Sequence, residues 1–386
     1  MLVPITWPCF CSMDLTFVFP CLNEENTLGD CVRAVRNVLD CAASGLEYEI
    51  VVADNGSSDR SVEIAREMGA RVIKVDQRGY GAALNGGIKE AAGRYVMFAD
   101  ADATYCYEDA LDLYERAVKQ GADMAIASRM TGNIEGGAMP FLHRHLGTPV
   151  LTALINRLFG GHLSDCNSGF RCILKAAYDR WNIRSTGMEF ASELLIKALK
   201  DKAVIVEISS GLRCGPADRL AHLRTWRDGM RHLLFIISER PQIFEFSGLM
   251  LAVMSTLLQI LAFIVGPVNI LGLNIFDLHS KIILLLSGLA GVQFYVFSCV
   301  LYVKGGGSAR RVTRKVIDLD EGALFFLLII SLFVQAMVVA VIFVMWMWSG
   351  FGGLDMLNSL VLAGHLLSGL GVLAIGLLGV HVLKRI

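Results

Sequence analysis

Asp100 and Asp102 stand one residue apart at the end of the apolar run 94–99, and together they offer a compact set of oxygens to a divalent ion. Mg²⁺ or Mn²⁺ bound there by carboxylates bridges the phosphates of a bound nucleotide. Alone, an Asp-x-Asp pair is more often two solvated turn residues, so its surroundings decide the reading. Asn23-Glu24 and Asp54-Asn55 close two further apolar segments in the same manner. Asp54 can accept a hydrogen bond from a nucleobase N–H, although it and Asp59 can equally cap the helix that follows. Capping is the expectation for Asp59, while the residues alone leave Asp54 open between the two. Arg78-Gly79-Tyr80-Gly81 opens a helical pattern. Backbone N–H groups at such a start suit an anion, and a plain strand-to-helix turn accounts for the glycines as well. A dinucleotide site fits poorly, because the full Gly-x-Gly-x-x-Gly run is missing.

These residues need a sheet to hold them. The first half of the chain alternates apolar runs, expected as strands over 15–20, 49–53, 71–75, 95–99 and 123–127, with helical stretches over 24–39, 61–68, 82–92 and 108–119. Such alternation predicts a parallel sheet with helices on both faces. Ligands of these sheets sit at the carboxyl ends of the strands, where all three acidic segments fall.

The second half has another solvent. Overall 54% of the 386 residues are hydrophobic and mean hydropathy is +0.53, yet the charge is concentrated before Arg240. Four apolar stretches, near 244–265, 282–303, 323–348 and 357–383, are each long enough for a bilayer core of ~30 Å. Lys304, Arg310, Arg311, Arg314 and Lys315 lie between the second and third, Lys384 and Arg385 after the fourth, and no Lys or Arg lies in 350–356. The positive-inside rule then places the soluble domain, the middle connection and the C-terminus in the cytoplasm. Arg224, Arg227 and Arg231 recur at helical spacing beside Leu223, Trp226 and Met230, as in a helix lying at the membrane interface. Leu146, Val150, Leu154 and Leu158 form an i, i+4 stripe, read first as core and second as a lipid-facing surface. The expected division is a disordered tail over 1–13, a catalytic domain over 14–220, an interfacial helix over 221–240 and a four-helix membrane domain over 241–386. A formal net charge of −1 argues against nucleic acid as a partner. Ten cysteines without zinc spacing indicate a reducing cytosolic face.

Three motifs in fixed order carry a family resemblance: Phe19-Pro-Cys-Leu-Asn-Glu-Glu25, Val51-Val-Ala-Asp-Asn-Gly-Ser-Ser-Asp59 and Asp100-Ala-Asp102. They resemble the family 2 glycosyltransferases of GT-A fold. Gly136-Gly-Ala-Met-Pro-Phe-Leu-His-Arg144 and Asp165-Cys-Asn-Ser-Gly-Phe-Arg171 narrow this to a group like the dolichol-phosphate mannose and glucose synthases. The resemblance covers roughly 15–241 and implies an α/β, Rossmann-like nucleotide-sugar-binding domain followed by transmembrane helices. It implies that Asp54, Glu24 and the backbone near Pro20 hold base and ribose, with Asn23, Asn55, Arg78, Gly79 and Gly81 completing the donor site. Asn55 replaces a second acid of the family. The metal, Mg²⁺ or Mn²⁺, falls to Asp100 and Asp102, with Thr104 where the family carries Gln. Arg129 and Arg171, with Ser168, match the residues that hold a lipid phosphate, for which a guanidinium fork is suited. Arg213 and Arg219 fall where basic residues approach the diphosphate, or are ordinary surface charges. His143 and His145 lack a metal partner and read as phosphate-contacting or simply polar, and no role falls to Glu189 or Glu193.

The implied activity is the inverting transfer of one hexose, from UDP-glucose by preference and GDP-mannose next, to a polyprenyl phosphate at the cytoplasmic face of a membrane. The partners are then a nucleotide sugar, the polyprenyl phosphate and membrane lipid, with a homo-oligomer left open. A processive polysaccharide synthase would carry a Gln-x-x-Arg-Trp motif, which His222-Leu-Arg-Thr-Trp226 does not reproduce. A lipid-linked sugar translocator would need more ionisable groups in its spans than His365 and His381. A catalytically dead scaffold would not need both donor acids.

Overall fold

The computed structural model describes residues 13–42, 45–216, 225–270, 273–305, 309–350 and 357–385. The expected N-terminal tail lies almost wholly outside them. The chain divides into two compact units, Met1–Ile236 and Ile237–Ile386.

The first unit is built on a seven-stranded sheet: β1 (Leu15–Cys21), β2 (Tyr48–Asp54), β3 (Arg71–Lys74), β4 (Tyr95–Phe98), β5 (Met124–Ser128), β6 (Arg171–Leu174) and β7 (Ile205–Ser209). Their spatial order is β3-β2-β1-β4-β6-β5-β7. β1 pairs in parallel with both β2 and β4 and is buried over nearly its whole length. A strand covered on both faces must be apolar on both. Phe17 and Phe19 accordingly meet one core cluster with Leu28 and Val32, while Val18 meets another with Leu84, Ile155 and Leu194. The helices that supply these layers are α1 (Leu28–Asp40), α2 (Ser61–Glu67), α3 (Tyr80–Lys89), α4 (Ala110–Lys119), α5 (Thr148–Phe159), α6 (Lys175–Trp181), α7 (Phe190–Lys200) and α8 (Thr225–Ser238).

The sheet is mixed, not parallel throughout. β6 runs antiparallel between β4 and β5, with Phe98 and Ile126 both opposite Arg171. The loop before β6 has already carried the chain to the carboxyl edge, so the strand can only run back. At four residues β6 was too short to announce itself by pattern.

The second unit contains four helices long and apolar enough to cross a membrane: α9 (Pro241–Val265), α10 (Leu278–Gly305), α12 (Glu321–Trp348) and α13 (Leu357–Arg385), with the short α11 (Arg311–Ile317) between the second and third. Small residues let these helices close up: a Cβ on Gly248 would lie 2.6 Å from the Tyr295 nitrogen, and one on Gly291 2.4 Å from that of Ala252. Glu245, wholly buried near the start of α9, accepts hydrogen bonds from Tyr302 (2.7 Å) and Thr313. Lys384 at the end of α13 donates to the Ile317 carbonyl at 2.8 Å and to Asp318 at 3.0 Å, which pins the basic connection to the bundle.

Candidate active site

The carboxyl ends of β1, β2, β4 and β5 present the predicted residues along one edge of the sheet. After β1, Asn23 adopts a left-handed φ of 58°, a conformation Asn tolerates better than most residues. Its amide oxygen receives the Ser58 N–H at 2.8 Å, tying this loop to the one after β2. Asp54 is buried, with its oxygens accepting the N–H groups of Ser57 (2.9 Å) and Gly56 (3.2 Å). Asp59 accepts the N–H (3.0 Å) and hydroxyl (2.6 Å) of Ser61 at the start of α2.

Asn55 explains its own departure from the family pattern. Its amide donates to the carbonyls of Val75 (3.0 Å) and Gln77 (2.7 Å) and accepts from the Gly79 N–H (2.8 Å). Only an amide can give two protons and take one; a carboxylate here would repel both carbonyls. The glycine turn is therefore held shut from below by Asn55. Arg78 lies across it, donating to the Asn55 carbonyl at 2.7 Å.

Gly79 and Gly81 serve close packing. Gly79 has φ +134°, and a Cβ there would lie 2.1 Å from the Thr186 carbonyl oxygen; one on Gly81 would lie 2.5 Å from that of Ser185. The 184–187 loop thus rests directly on the turn, and the Ala82 N–H donates to Thr186 at 3.0 Å. Glu193 holds that loop by accepting the N–H groups of Arg184 (3.0 Å) and Ser185 (2.7 Å). Burial would raise its carboxyl; Lys197 and the Ser185 N–H outweigh this and keep it below the usual range.

Between them, Tyr80 donates to Asp100 Oδ1 at 2.8 Å. Asp102 is 3% exposed and accepts both the N–H (3.0 Å) and the hydroxyl (2.6 Å) of Thr104. Ala103 between them has φ 58°, a costly conformation for a residue with a Cβ that persists only where its surroundings enforce it. Among the described residues no group of three or more His, Cys, Asp and Glu is poised around a metal. Two carboxylates without a closed protein cage suit Mg²⁺ or Mn²⁺, which take one or two carboxylates and fill the rest of their shell with water and phosphate oxygens.

These acids open on a cavity of about 590 Å³, whose polar lining includes Tyr80, Asp100, Asp102, Thr104, Tyr105 and Arg129. Leu142, Leu146, Val150, Met230 and Leu233 are among its apolar lining. Arg129 is gripped from behind: Nε and Nη2 donate to Asp165 at 2.7 and 3.0 Å. The Asp165 side chain is wholly buried. Burial alone would raise its carboxyl, but the Arg129 charge and hydrogen bonds, with the Asn167 N–H, hold it below the usual carboxylate range. His143 also lines the cavity, and burial, followed by the Arg129 charge, holds its pKa below the ordinary imidazole value.

The other predicted acceptor residues stand elsewhere. Arg171 is fully buried and donates to the carbonyls of Ser168 (2.8 Å), Cys166 (2.8 Å) and Ala191 (3.1 Å). Ser168 donates to the Ala127 carbonyl at 2.6 Å. Both therefore build the wall behind Arg129 and contribute no lining of the cavity. Arg213 pairs with Glu108 at 3.1 Å, with both side chains about half exposed, and is no part of the lining either. Arg219 and Arg224 lie outside the described residues. The helix expected at the interface supplies cavity wall, through Gly229, Met230, His232 and Leu233 of α8. His232 is anchored at 2.7 Å to Ser192. The Leu146 stripe divides: Leu146 and Val150 are 58% and 50% exposed, whereas Leu154 and Leu158 pack on the core.

Sequence reasoning assigned no role to Tyr80, Tyr105 or Asp165, although Tyr80 and Asp165 lie in motifs it singled out and Tyr105 follows Asp102 by three residues. The Glycosyl transferase family 2 model matches residues 16–181. The low-salt glycan biosynthesis hexosyltransferase Agl6 of Haloferax volcanii is 37% identical over 284 residues, 73% of this chain and 67% of its own. The dolichol-phosphate mannosyltransferase of Pyrococcus furiosus is 28% identical over 232 residues, 57% of this chain and 63% of its own. Among solved structures, glucosyl-3-phosphoglycerate synthase from Mycobacterium tuberculosis matches 59% of this chain and 80% of its own at 21% identity and a TM-score of 0.47. With its acids on the carboxyl edge of a Rossmann-like sheet, the chain belongs to glycosyl transferase family 2.

Proposed function

We propose that this chain moves a single hexose from a nucleotide sugar to a polyprenyl phosphate at the cytoplasmic face of a membrane, with UDP-glucose the preferred donor and GDP-mannose the next. The observation that carries the reading is the cavity itself. Its lining combines Asp100, Asp102 and Arg129 with Leu142, Leu146, Val150, Met230 and Leu233. A phosphate on a hydrocarbon tail needs both kinds of chemistry. The names of the Haloferax and Pyrococcus relatives agree with it, and the four apolar helices supply an anchor in the bilayer that holds the acceptor.

Asp54, Asn55 and the Arg78–Gly81 turn form the nucleoside side of the site, where the loops after β1 and β2 meet. Asp100 and Asp102 would hold Mg²⁺ or Mn²⁺, which neutralises charge on a departing nucleoside diphosphate. Arg129 receives the acceptor phosphate, its guanidinium fixed by Asp165 so that the fork does not turn away. Holding both reactants in line replaces a two-body encounter by one oriented pair. The phosphate is already an anion at neutral pH, so a single displacement with inversion at the anomeric carbon needs no strong general base.

The test is to incubate the purified chain with polyprenyl phosphate and each of several radiolabelled nucleotide sugars, with Mg²⁺ or with EDTA, and to extract with organic solvent. Label entering the lipid phase from one donor, only with metal, is the expected result. Protein that binds a nucleoside diphosphate but labels no lipid refutes the proposal.

A further inference from the structure

We propose that Tyr105 is a phosphoryl-oxygen ligand, donating its phenolic proton to a substrate phosphate bound between Asp100 and Arg129. The inference rests on the functional reading above and names a residue that reading did not use.

Tyr105 is 3% exposed, yet it lines the cavity. Its oxygen accepts the Gly169 N–H at 2.7 Å. A phenol has one proton to give as well, and among the described residues no acceptor receives it. Tyr80 shows the contrast, since its proton goes to Asp100 at 2.8 Å. A buried donor left unsatisfied is costly and uncommon in a native protein. The position does not serve packing alone: Phe170, edge-on at a ring separation of 5.9 Å, would hold a phenylalanine equally well.

The surroundings identify what the proton is for. A Cβ placed on Gly169 would lie 3.0 Å from the Tyr105 hydroxyl, 3.1 Å from Asp100 Oδ2 and 3.3 Å from the Tyr80 hydroxyl, so three oxygens converge over one bare backbone position. Arg129 and Asp100 both act electrostatically on the phenol. Tyr105 thus offers its proton in the field of a cation and a candidate metal-binding acid. An oxyanion fits there: it accepts from the phenol and the guanidinium together, and charge-assisted bonds of this kind are the stronger ones. The Gly169 N–H, by donating to the phenol oxygen, polarises the O–H and fixes its direction. The ligand is a non-bridging phosphoryl oxygen, from either the donor's diphosphate or the acceptor's monophosphate.

Tyr105→Phe in the full-length chain separates the sources. UDP and GDP affinity is measured by calorimetry with Mg²⁺, farnesyl phosphate affinity in a second titration, and turnover separately. A loss of about ten- to a hundred-fold is expected in one of the three, the range of a hydrogen bond to a charged group. Loss confined to the nucleotide assigns the diphosphate, and loss confined to farnesyl phosphate assigns the acceptor. Loss of turnover alone places the bond in the transition state. All three unchanged overturns the proposal. Wild-type protein that binds nucleotide but neither binds nor glycosylates a polyprenyl phosphate refutes the functional reading instead, and the nucleotide arm still judges Tyr105. Should the Phe variant fail to fold, 4-fluorophenylalanine at 105 fills the space of the hydroxyl but has no proton to donate. The same loss in one of the three measurements is then expected, and unchanged affinities and turnover reject the donor role.

Discussion

Replacing Asp165 by Asn tests how Arg129 is held. The Asp165 side chain is wholly buried and that of Arg129 is 13% exposed, so little solvent screens the pair. Two N–H groups at 2.7 and 3.0 Å lose a charged acceptor, and the new amide turns its own N–H₂ toward a guanidinium that has nothing but donors. Breaking one side of a buried ion pair costs about 3–5 kcal/mol, and because Asn keeps one acceptor the lower end, ~3 kcal/mol, is expected here. For a unit of this size that corresponds to a fall in Tm of roughly 6–12 °C. Without its partner Arg129 also loses its fixed direction, so the KM for polyprenyl phosphate should rise at least about ten-fold, the share of ~1.4 kcal/mol, while nucleotide affinity stays put. Thermal unfolding in detergent, followed by tryptophan fluorescence, and steady-state transfer at varied acceptor concentration measure the two effects. D165N with wild-type Tm and wild-type acceptor KM would refute the reasoning.

Asp102→Ala should reduce transfer by at least about a hundred-fold through loss of charge stabilisation at the diphosphate, with Tm nearly unchanged; normal activity would remove the metal assignment. Gly79→Ala puts a Cβ 2.1 Å from the Thr186 oxygen at φ +134°. The expected cost is ~3 kcal/mol from overpacking and backbone strain, read as a lower Tm with weaker nucleotide binding. Stability should also fall in acid. Asp165 titrates below its unfolded value, so its contribution is fully present above about pH 4 and is lost as the pH falls through the lower folded value; D165N should flatten that limb of a Tm–pH curve. Leu146→Asp together with Val150→Asp should weaken polyprenyl phosphate binding about ten-fold or more, the worth of one well-buried aliphatic side chain, and leave nucleotide affinity intact.

The acidic edge of the site was legible because its parts are local. An apolar run followed within three residues by an acid gives both a buried strand and what it presents, and β1, β2 and β4 follow that rule. The surroundings of Arg129 were not, because there residue type and position part company. Arg171 has the chemistry of a phosphate ligand, but its fork is spent on three carbonyls, one of them twenty residues away. Nothing along the chain records that Ala191 will be beside it. Asp165 and Arg129 meet across thirty-six residues, Tyr105 and Gly169 across sixty-four. Gly79 and Gly81 read equally as an anion turn or a plain strand-to-helix turn, and their smallness turns out to admit the backbone of 185–187, which pattern reading had left unassigned. The Leu146 stripe has one period but two environments, set by where α5 leaves the core.

The central claim is that nucleotide sugar and lipid phosphate react with one another at the Asp100–Arg129 edge. The most direct measurement is the stoichiometry of the products: nucleoside diphosphate released against hexose recovered in the lipid, for wild type and D102A. The account predicts one of each per turnover in wild type, the hexose as a phosphodiester by ³¹P NMR, and neither above background in D102A. Nucleoside diphosphate released without lipid-linked hexose, or equal yields from D102A, would contradict it.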